Sequence, residues 1–267
     1  MERSPFAALN IMPSFFLRFL CIALLGPRLL TAQSELHARA SGVAPASEAL
    51  KPTVEEILRR VGERWRLEEQ QGELFRQRYA FTHRKVTEKW DDEGMLKERT
   101  EESLRHDPRQ PEPERRKNAR RERQGPGYRT DDFEELGGLY ARFEYRLVGQ
   151  EDVNGRPAWV IEFRPKNPPL PARSLKERFV NAVAGRTWID REDHAPARLE
   201  LRLIREVNVV GGLVGNVRAC EVRFERRRTE DGLWYTPRFT WHLEGRALFS
   251  KKHMTHTEET ADLERVE

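Results

Sequence analysis

From Arg142 onward the sequence alternates apolar and polar residues in short runs broken by turn signals, the period of two that antiparallel strands with one dry face require. Trp159, Ile161 and Phe163 are apolar, and Ala158, Val160, Glu162 and Arg164 around them grow progressively more polar. Leu199, Leu201 and Leu203 alternate with Arg198, Glu200 and Arg202, and Cys220, Val222 and Phe224 with Glu221, Arg223 and Glu225. Phe239, Trp241 and Leu243 alternate with Thr240, His242 and Glu244. Four strands share one design, burying one face and solvating the other. Asn154-Gly155 and Asp231-Gly232 are the strongest hairpin signals in the chain, because both central positions of such a turn need a positive φ. They predict hairpins joining 143–148 to 156–164 and 217–228 to 233–249.

Upstream the period changes. Val54, Ile57, Leu58, Val61 and Trp65 fall at helical spacing, opposite Glu55, Arg59, Arg60, Glu63 and Arg64. Thr53 with Glu56 three residues later forms a capping box, so a helix is predicted over 53–71. After Gly72 the pattern reads as a strand, with Phe75, Tyr79 and Phe81 on one face. Asp91-Asp92-Glu93-Gly94 then turns into a second, polar strand through Glu101. A strand over 185–190 turns through Arg191-Glu192-Asp193 into 195–206, and the polar stretch 251–266 is expected to be an edge strand. The proline-rich segment 165–171 reads as a loop across the rim, and 174–183 fits either a short helix or an extended piece.

Composition changes this picture little. Of the 267 residues only 37% are hydrophobic and 34% are charged, which suits a single sheet with one solvated face better than a helical bundle. No internal linker is long enough to separate two cores, so one domain over 52–267 is expected behind an export signal over 1–40 and a flexible leader over 41–51. Arg18 precedes the apolar run Phe19-Leu20-Cys21-Ile22-Ala23-Leu24-Leu25, too short to span a bilayer, and Gly26-Pro27-Arg28 breaks it. Cleavage is expected after Ala32 or Ala40, placing the mature protein in the periplasm. Met12 is an alternative start, and an uncleaved anchor is the weaker reading. Removal of 1–32 leaves Cys220 as the only cysteine, a small buried apolar residue by its neighbours, and leaves 45 basic against 43 acidic side chains. So near a balance gives no reason to expect a nucleic-acid partner.

Candidate chemistry is sparse. The insertion at about 105–129 carries Arg115-Arg116-Lys117, Arg120-Arg121 and Arg123. It reads as a solvated loop or short exposed helix, with contact to an anionic membrane surface through the Arg115 to Arg123 region as the functional alternative. His253 and His256 lie three apart, so on a strand they point to opposite faces and do not share an ion. Asp190, Asp193 and His194 cluster at a turn, where aspartate is favoured for backbone reasons alone, and a hydrolytic role for them is the weakest reading. No phosphate loop, HExxH, GxSxG or paired CxxC occurs, and neither a cofactor, a metal site nor an enzymatic activity is expected.

What remains is an apolar sheet face and an amphipathic helix to cover it. Such a pair encloses a lipophilic space if the helix does not fill it, and an ordinary core if it does; periodicity fits both. The candidate lining comprises Ile57, Leu58, Val61 and Trp65 of the helix with Trp159, Ile161, Phe163, Leu199, Leu201, Val222, Phe224, Phe239, Trp241 and Leu243 of the sheet. Trp188 is a further bulky candidate.

The order of these elements resembles a known family. The signal, the amphipathic helix and an early strand pair come first. The run from Tyr145 to Trp159, Gly185-Arg186-Thr187-Trp188-Ile189-Asp190 and Asp231-Gly232-Leu233-Trp234-Tyr235-Thr236-Pro237 follow. The likeness, over roughly 52–266, is to the LolA-like outer-membrane lipoprotein-sorting proteins. It implies a mainly β (α+β) fold, a curved antiparallel sheet forming an incomplete β-barrel covered by an N-terminal amphipathic helix. It also implies a periplasmic carrier that holds acyl chains of lipids or lipoproteins. The basic insertion and the heavily charged strands depart from such carriers. A structural or interaction protein of the cell envelope with the same fold and a filled core is the alternative.

Overall fold

The computed structural model describes residues 52–65, 67–112, 114, 141–209, 215–247 and 250–266. The expected signal and leader (1–51) and most of the basic insertion, Arg115 to Arg123 included, lie outside these residues. Among the described residues three helices, α1 (Val54–Trp65), α2 (Glu68–Arg78) and α3 (Leu175–Val180), accompany ten strands. The strands are β1 (Tyr79–Trp90), β2 (Leu96–His106), β3 (Phe143–Val153), β4 (Arg156–Pro165) and β5 (Val183–Asp190). They continue with β6 (Pro196–Leu203), β7 (Val207–Val209), β8 (Gly215–Arg228), β9 (Trp234–Ala247) and β10 (Ser250–Arg265). All belong to one antiparallel sheet in the order β2-β1-β10-β9-β8-β6-β5-β4-β3, with β7 beside β8. Among the described residues its edges are β2 and β3, so the barrel they form is incomplete, as expected.

Both predicted hairpins form, the first with a positive φ at both turn residues and the second with one at Gly232 but not at Asp231. Asn154 and Gly155 take φ of 52° and 76° between β3 and β4, and Gly232 takes 89° between β8 and β9. The Asp91 turn joins β1 to β2, with the Asp91 carboxylate accepting from the backbone N–H groups of Glu93 and Met95. The open segment 174–183 resolves into α3, closed by a full capping box between Ser174 and Glu177, followed by the start of β5.

Three expectations are corrected. The predicted helix over 53–71 is two helices, and 73–78 is helical rather than extended. The α2 sequence is rich in Glu, Gln and Arg, good helix formers. A four-residue separation of Phe75 from Tyr79 satisfies a helix as well as a strand. Those rings still meet, stacked at 5.2 Å, in a cluster with Phe81 and Leu233.

The strand β10 is interior, paired to β1 on one side and β9 on the other, and not an edge. Its polar residues are neutralised across the sheet, which a single-strand reading cannot register. The edge is β2, whose charges pair with those of β1: Arg84 with Glu101 at 2.7 Å, Lys89 with Glu98 at 2.9 Å and Arg99 with Glu88 at 3.0 Å. Such a charged edge discourages pairing with another chain. The base of the insertion carries exposed ion pairs, Arg109 with Asp107 at 2.7 Å and with Glu264 of β10 at 3.2 Å.

Candidate ligand-binding face

Register brings the predicted lining residues to one face. Ile161 pairs with Thr187, Thr187 with Leu199, Leu199 with Phe224 and Phe224 with Phe239, so one row crosses five strands. Ile57, Val61, Trp159, Ile161, Phe163, Leu199, Leu201, Val222, Phe224 and Trp241 are buried in a single cluster, and Leu58, Phe239 and Leu243 pack against it half-buried. Trp65 ends α1, and its side chain lies outside the described residues. The helix is started by Thr53, whose Oγ1 accepts from the Glu56 N–H at 3.2 Å. Its polar flank is held by Arg60 to Glu56 at 2.8 Å.

The packing is tight beneath the helix. Ile57, Val61, Ile161, Phe163, Leu199 and Val222 have no exposed surface. Cys220 is buried with them, and burial followed by the Glu221 charge pushes its thiol up to about 12, an inert small hydrophobe. Two polar atoms of this face are buried without a hydrogen-bond partner, Tyr145 Oη of β3 and Trp241 Nε1 of β9. Burial raises the Tyr145 hydroxyl pKa, keeping it a neutral donor. Unpartnered buried polar atoms are uncommon in folded proteins and mark places where water or a ligand group fits. Tyr145 escaped the sequence reading because the polar end of β3 masked its alternation.

The face turns polar at its β10 and β1 end. His256 pairs in register with Trp241 and stacks on it at 5.5 Å. Its Nδ1 lies 2.7 Å from Thr87 Oγ1 and its Nε2 3.0 Å from Glu258 Oε1, while His83 Nε2 lies 3.3 Å from Glu258 Oε2. Burial works to raise the Glu258 carboxyl, but hydrogen bonds from His256 and His83 outweigh it and bring the pKa down to about 2.

Trp188 is not part of this face. It pairs with Val160, so it points to the other side, where Val153, Ala158, Val160, Trp188, Ala195, Ala197 and Trp234 form a second buried cluster. The expectation of one wholly solvated face therefore fails at β4 to β6. Trp188 Nε1 donates to Glu151 at 2.8 Å, and the Arg198 guanidinium lies over its ring.

The Asp190, Asp193 and His194 turn has structural partners. Arg156 grips Asp190 through two hydrogen bonds of 2.6 and 2.9 Å, and the backbone N–H groups of Glu192 and Asp193 donate to the same carboxylate. Burial tends to raise this carboxyl, yet those donors hold it below its ordinary value. Asp193 accepts from Trp234 Nε1 at 2.8 Å and pairs with Arg228 at 2.8 Å. Burial, and then the Arg60 guanidinium of α1, hold the His194 imidazole below its ordinary pKa. Its ring lies 5.4 Å from that of Trp159, at the end of the face that α1 crosses.

No family model and no curated protein matches the sequence. Among solved structures, the chain is similar to a domain described as an outer-membrane lipoprotein-sorting protein from Vibrio parahaemolyticus. The identity is 11%, over 76% of this chain and 91% of that one, with a TM-score of 0.31. It is similar to a LolA superfamily protein from Nitrosomonas europaea at 12% identity, over 75% and 94% of the chains, with a TM-score of 0.27. MucB from Pseudomonas aeruginosa, in its complex with MucA, matches at 10% identity over 73% and 93%, with a TM-score of 0.21. At such scores these likenesses carry no argument about fold, ligand or activity.

Proposed function

We propose that the protein is an exported, periplasmic, non-enzymatic binder of acyl chains, carried on lipids or lipoproteins and held between α1 and the inner face of the sheet. The observation that carries this reading is the continuous apolar cluster under an amphipathic helix, with Tyr145 Oη and Trp241 Nε1 buried in it and unpartnered. Each acyl CH₂ taken from water contributes about 0.8 kcal/mol, so the chain rather than the head dominates affinity. Leu58, Phe239 and Leu243, half-buried at the margin of the cluster, are where an acyl chain enters with least loss of packing. Native mass spectrometry of the protein from its own host tests this, together with titration by a fluorescent fatty acid. Co-purifying lipid and saturable binding are expected. Lipid-free protein that ignores the probe and shows no tryptophan fluorescence change overturns it.

The tightness of the packing beneath Ile57 and Val61 favours a second reading, an envelope interaction protein with a filled core. That reading expects no lipid at all in the same experiment.

A further inference from the structure

The outer face of the β9–β10 hairpin gathers a donor set that its sequence spacing hides. His242 and Glu244 are two apart on β9, so they share a face. His253 of β10 lies directly opposite Glu244, and two residue pairs further along the hairpin, on the same face, His242 lies opposite Thr255. The two imidazoles and the carboxylate thus come from neighbouring positions of one two-stranded ladder. One ligand atom from each of the three lies within 4.8 Å of the other two.

The contacts within this group are unfinished. His242 Nε2 comes 3.2 Å from Glu244 Oε1, yet that nitrogen is buried and makes no hydrogen bond. The approach has the distance of an ion pair without the angle of a hydrogen bond, so the ring nitrogen and the carboxylate stand side by side rather than joined. The His242 and His253 rings meet edge to face at 4.9 Å. On its other side His253 stacks on Trp90 of β1 at 5.6 Å, which fixes the plane of its ring. Glu221 of β8 is opposite His242 in register and brings a second carboxylate to the rim. On the same face Arg246 and Lys251 face each other nearer the hairpin turn, and Arg223 of β8 lies two residues from Glu221.

We propose that His242, Glu244 and His253 bind a divalent first-row transition-metal ion on the outer face of the sheet, with Zn²⁺ the ion that suits them best. Two imidazoles and one carboxylate are a borderline set that Zn²⁺ takes readily and that Mg²⁺ and Ca²⁺, which want oxygen ligands, do not. At Zn–N and Zn–O distances of about 2.0–2.2 Å, tetrahedral ligand atoms stand about 3.4 Å apart. The present separations close to that with rotation of the half-exposed Glu244 and small ring movements. Three protein ligands leave a fourth position for water or for Glu221. The ion ties β9 to β10 and stands apart from the acyl-chain reading, since Trp241 and Leu243 of the same strand face the opposite way.

The test uses the untagged protein, freed of metal by a chelator and titrated with Zn²⁺ by calorimetry. One saturable equivalent is expected, with a rise in melting temperature on adding Zn²⁺ and none on adding Ca²⁺ or Mg²⁺. His242→Ala and His253→Ala are each expected to weaken binding by about tenfold or more, and Co²⁺ in the wild type to give the visible absorption of a tetrahedral site that both variants lose. His83→Ala, on the inner face, is expected to bind as the wild type does. His253→Gln keeps the ring-sized volume next to Trp90, and metal-free melting of each variant separates lost ligation from lost folding. Absence of a saturable site in the wild type overturns the proposal. So does binding that survives in His242→Ala and His253→Ala, or that is lost only in His83→Ala.

Discussion

Tyr79 Oη donates to Asp231 Oδ1 at 2.6 Å, fastening the first residue of β1 to the turn between β8 and β9. Thr229 Oγ1 donates to the same oxygen at 2.6 Å, and Arg78 reaches Oδ2 at 3.1 Å. The aspartate that makes the turn also holds two distant parts of the chain together. Burial tends to raise its carboxyl, and the hydrogen bonds from Thr229, Tyr79 and Arg78 bring it down to about 2. Against an unfolded value of about 3.9, this depressed pKa contributes stability that is fully present above about pH 4 and lost as pH falls through 2. Asp231→Asn is expected to cost about 1–2 kcal/mol at pH 7 and almost nothing near pH 2, as read by urea denaturation at the two values. An equal cost at both pH values would show that the charge contributes nothing.

Glu258 gives a second acid-sensitive contact, on the inner face. Its carboxyl, held at about 2 by His256 and His83 against burial, has the same sign: its contribution is present above its unfolded value of about 4.3 and lost towards pH 2. Glu258→Gln is expected to lower stability by about 2 kcal/mol at pH 6 and to flatten the acid limb of the stability curve. Chemical denaturation across pH 2 to 6 checks it.

Gly185 is required where β5 passes under Phe163. A methyl group there would lie 2.1 Å from the Glu200 carbonyl oxygen, 2.7 Å from Phe163 Cζ and 2.8 Å from Leu201 Cα. Two of those atoms are backbone, so relief needs a shift of β6. Gly185→Ala is expected to destabilise by about 3 kcal/mol, at the upper end for overpacking, measured as a lower denaturation midpoint.

Two of the α1 residues that face the sheet are expected to separate stability from binding. Ile57→Ala removes a fully buried side chain and should cost about 2–5 kcal/mol. Leu58→Glu places a carboxylate at the half-buried margin of the cluster, where it has no partner. It should abolish fluorescent fatty-acid binding while circular dichroism remains that of the wild type. A wild type without fatty-acid binding, and a Leu58→Glu variant that merely unfolds, identify a filled core.

Replacement of 115–129 by a short Gly/Ser linker, with Asp107 and Arg109 kept, is expected to shift the melting temperature by no more than about 2 °C. The ion pair of Arg109 with Glu264 already anchors the start of the segment. A larger loss on calorimetry would mean that the segment packs on the domain.

The inner face was legible because alternation at Trp159, Leu199, Val222 and Trp241 repeats one geometric rule, that side chains two apart share a side of a strand. The turns at Asn154-Gly155 and Gly232 were legible because few residues tolerate a positive φ. Helix α2 was not, since Phe75 and Tyr79 fit either period and only the surrounding helix formers distinguish them. Trp188 was misplaced for a different reason. Gly185, Thr187 and Ile189 carry weak alternation, and which side of β5 faces α1 follows from its pairing with Val160 and Leu199.

What the sequence by itself determined is local: period, turn chemistry and the existence of one apolar face, all fixed by interactions within a few residues. The tertiary structure alone decided the rest. It placed β10 between β1 and β9, gave Asp231 its distant donors and covered the second face with Trp188 and Trp234. It also set His253 against His242 and Glu244 while sending His256 to the inner face. Strand neighbours are chosen by long-range pairing, whose register depends on the burial of every strand at once, and no window of sequence contains that information.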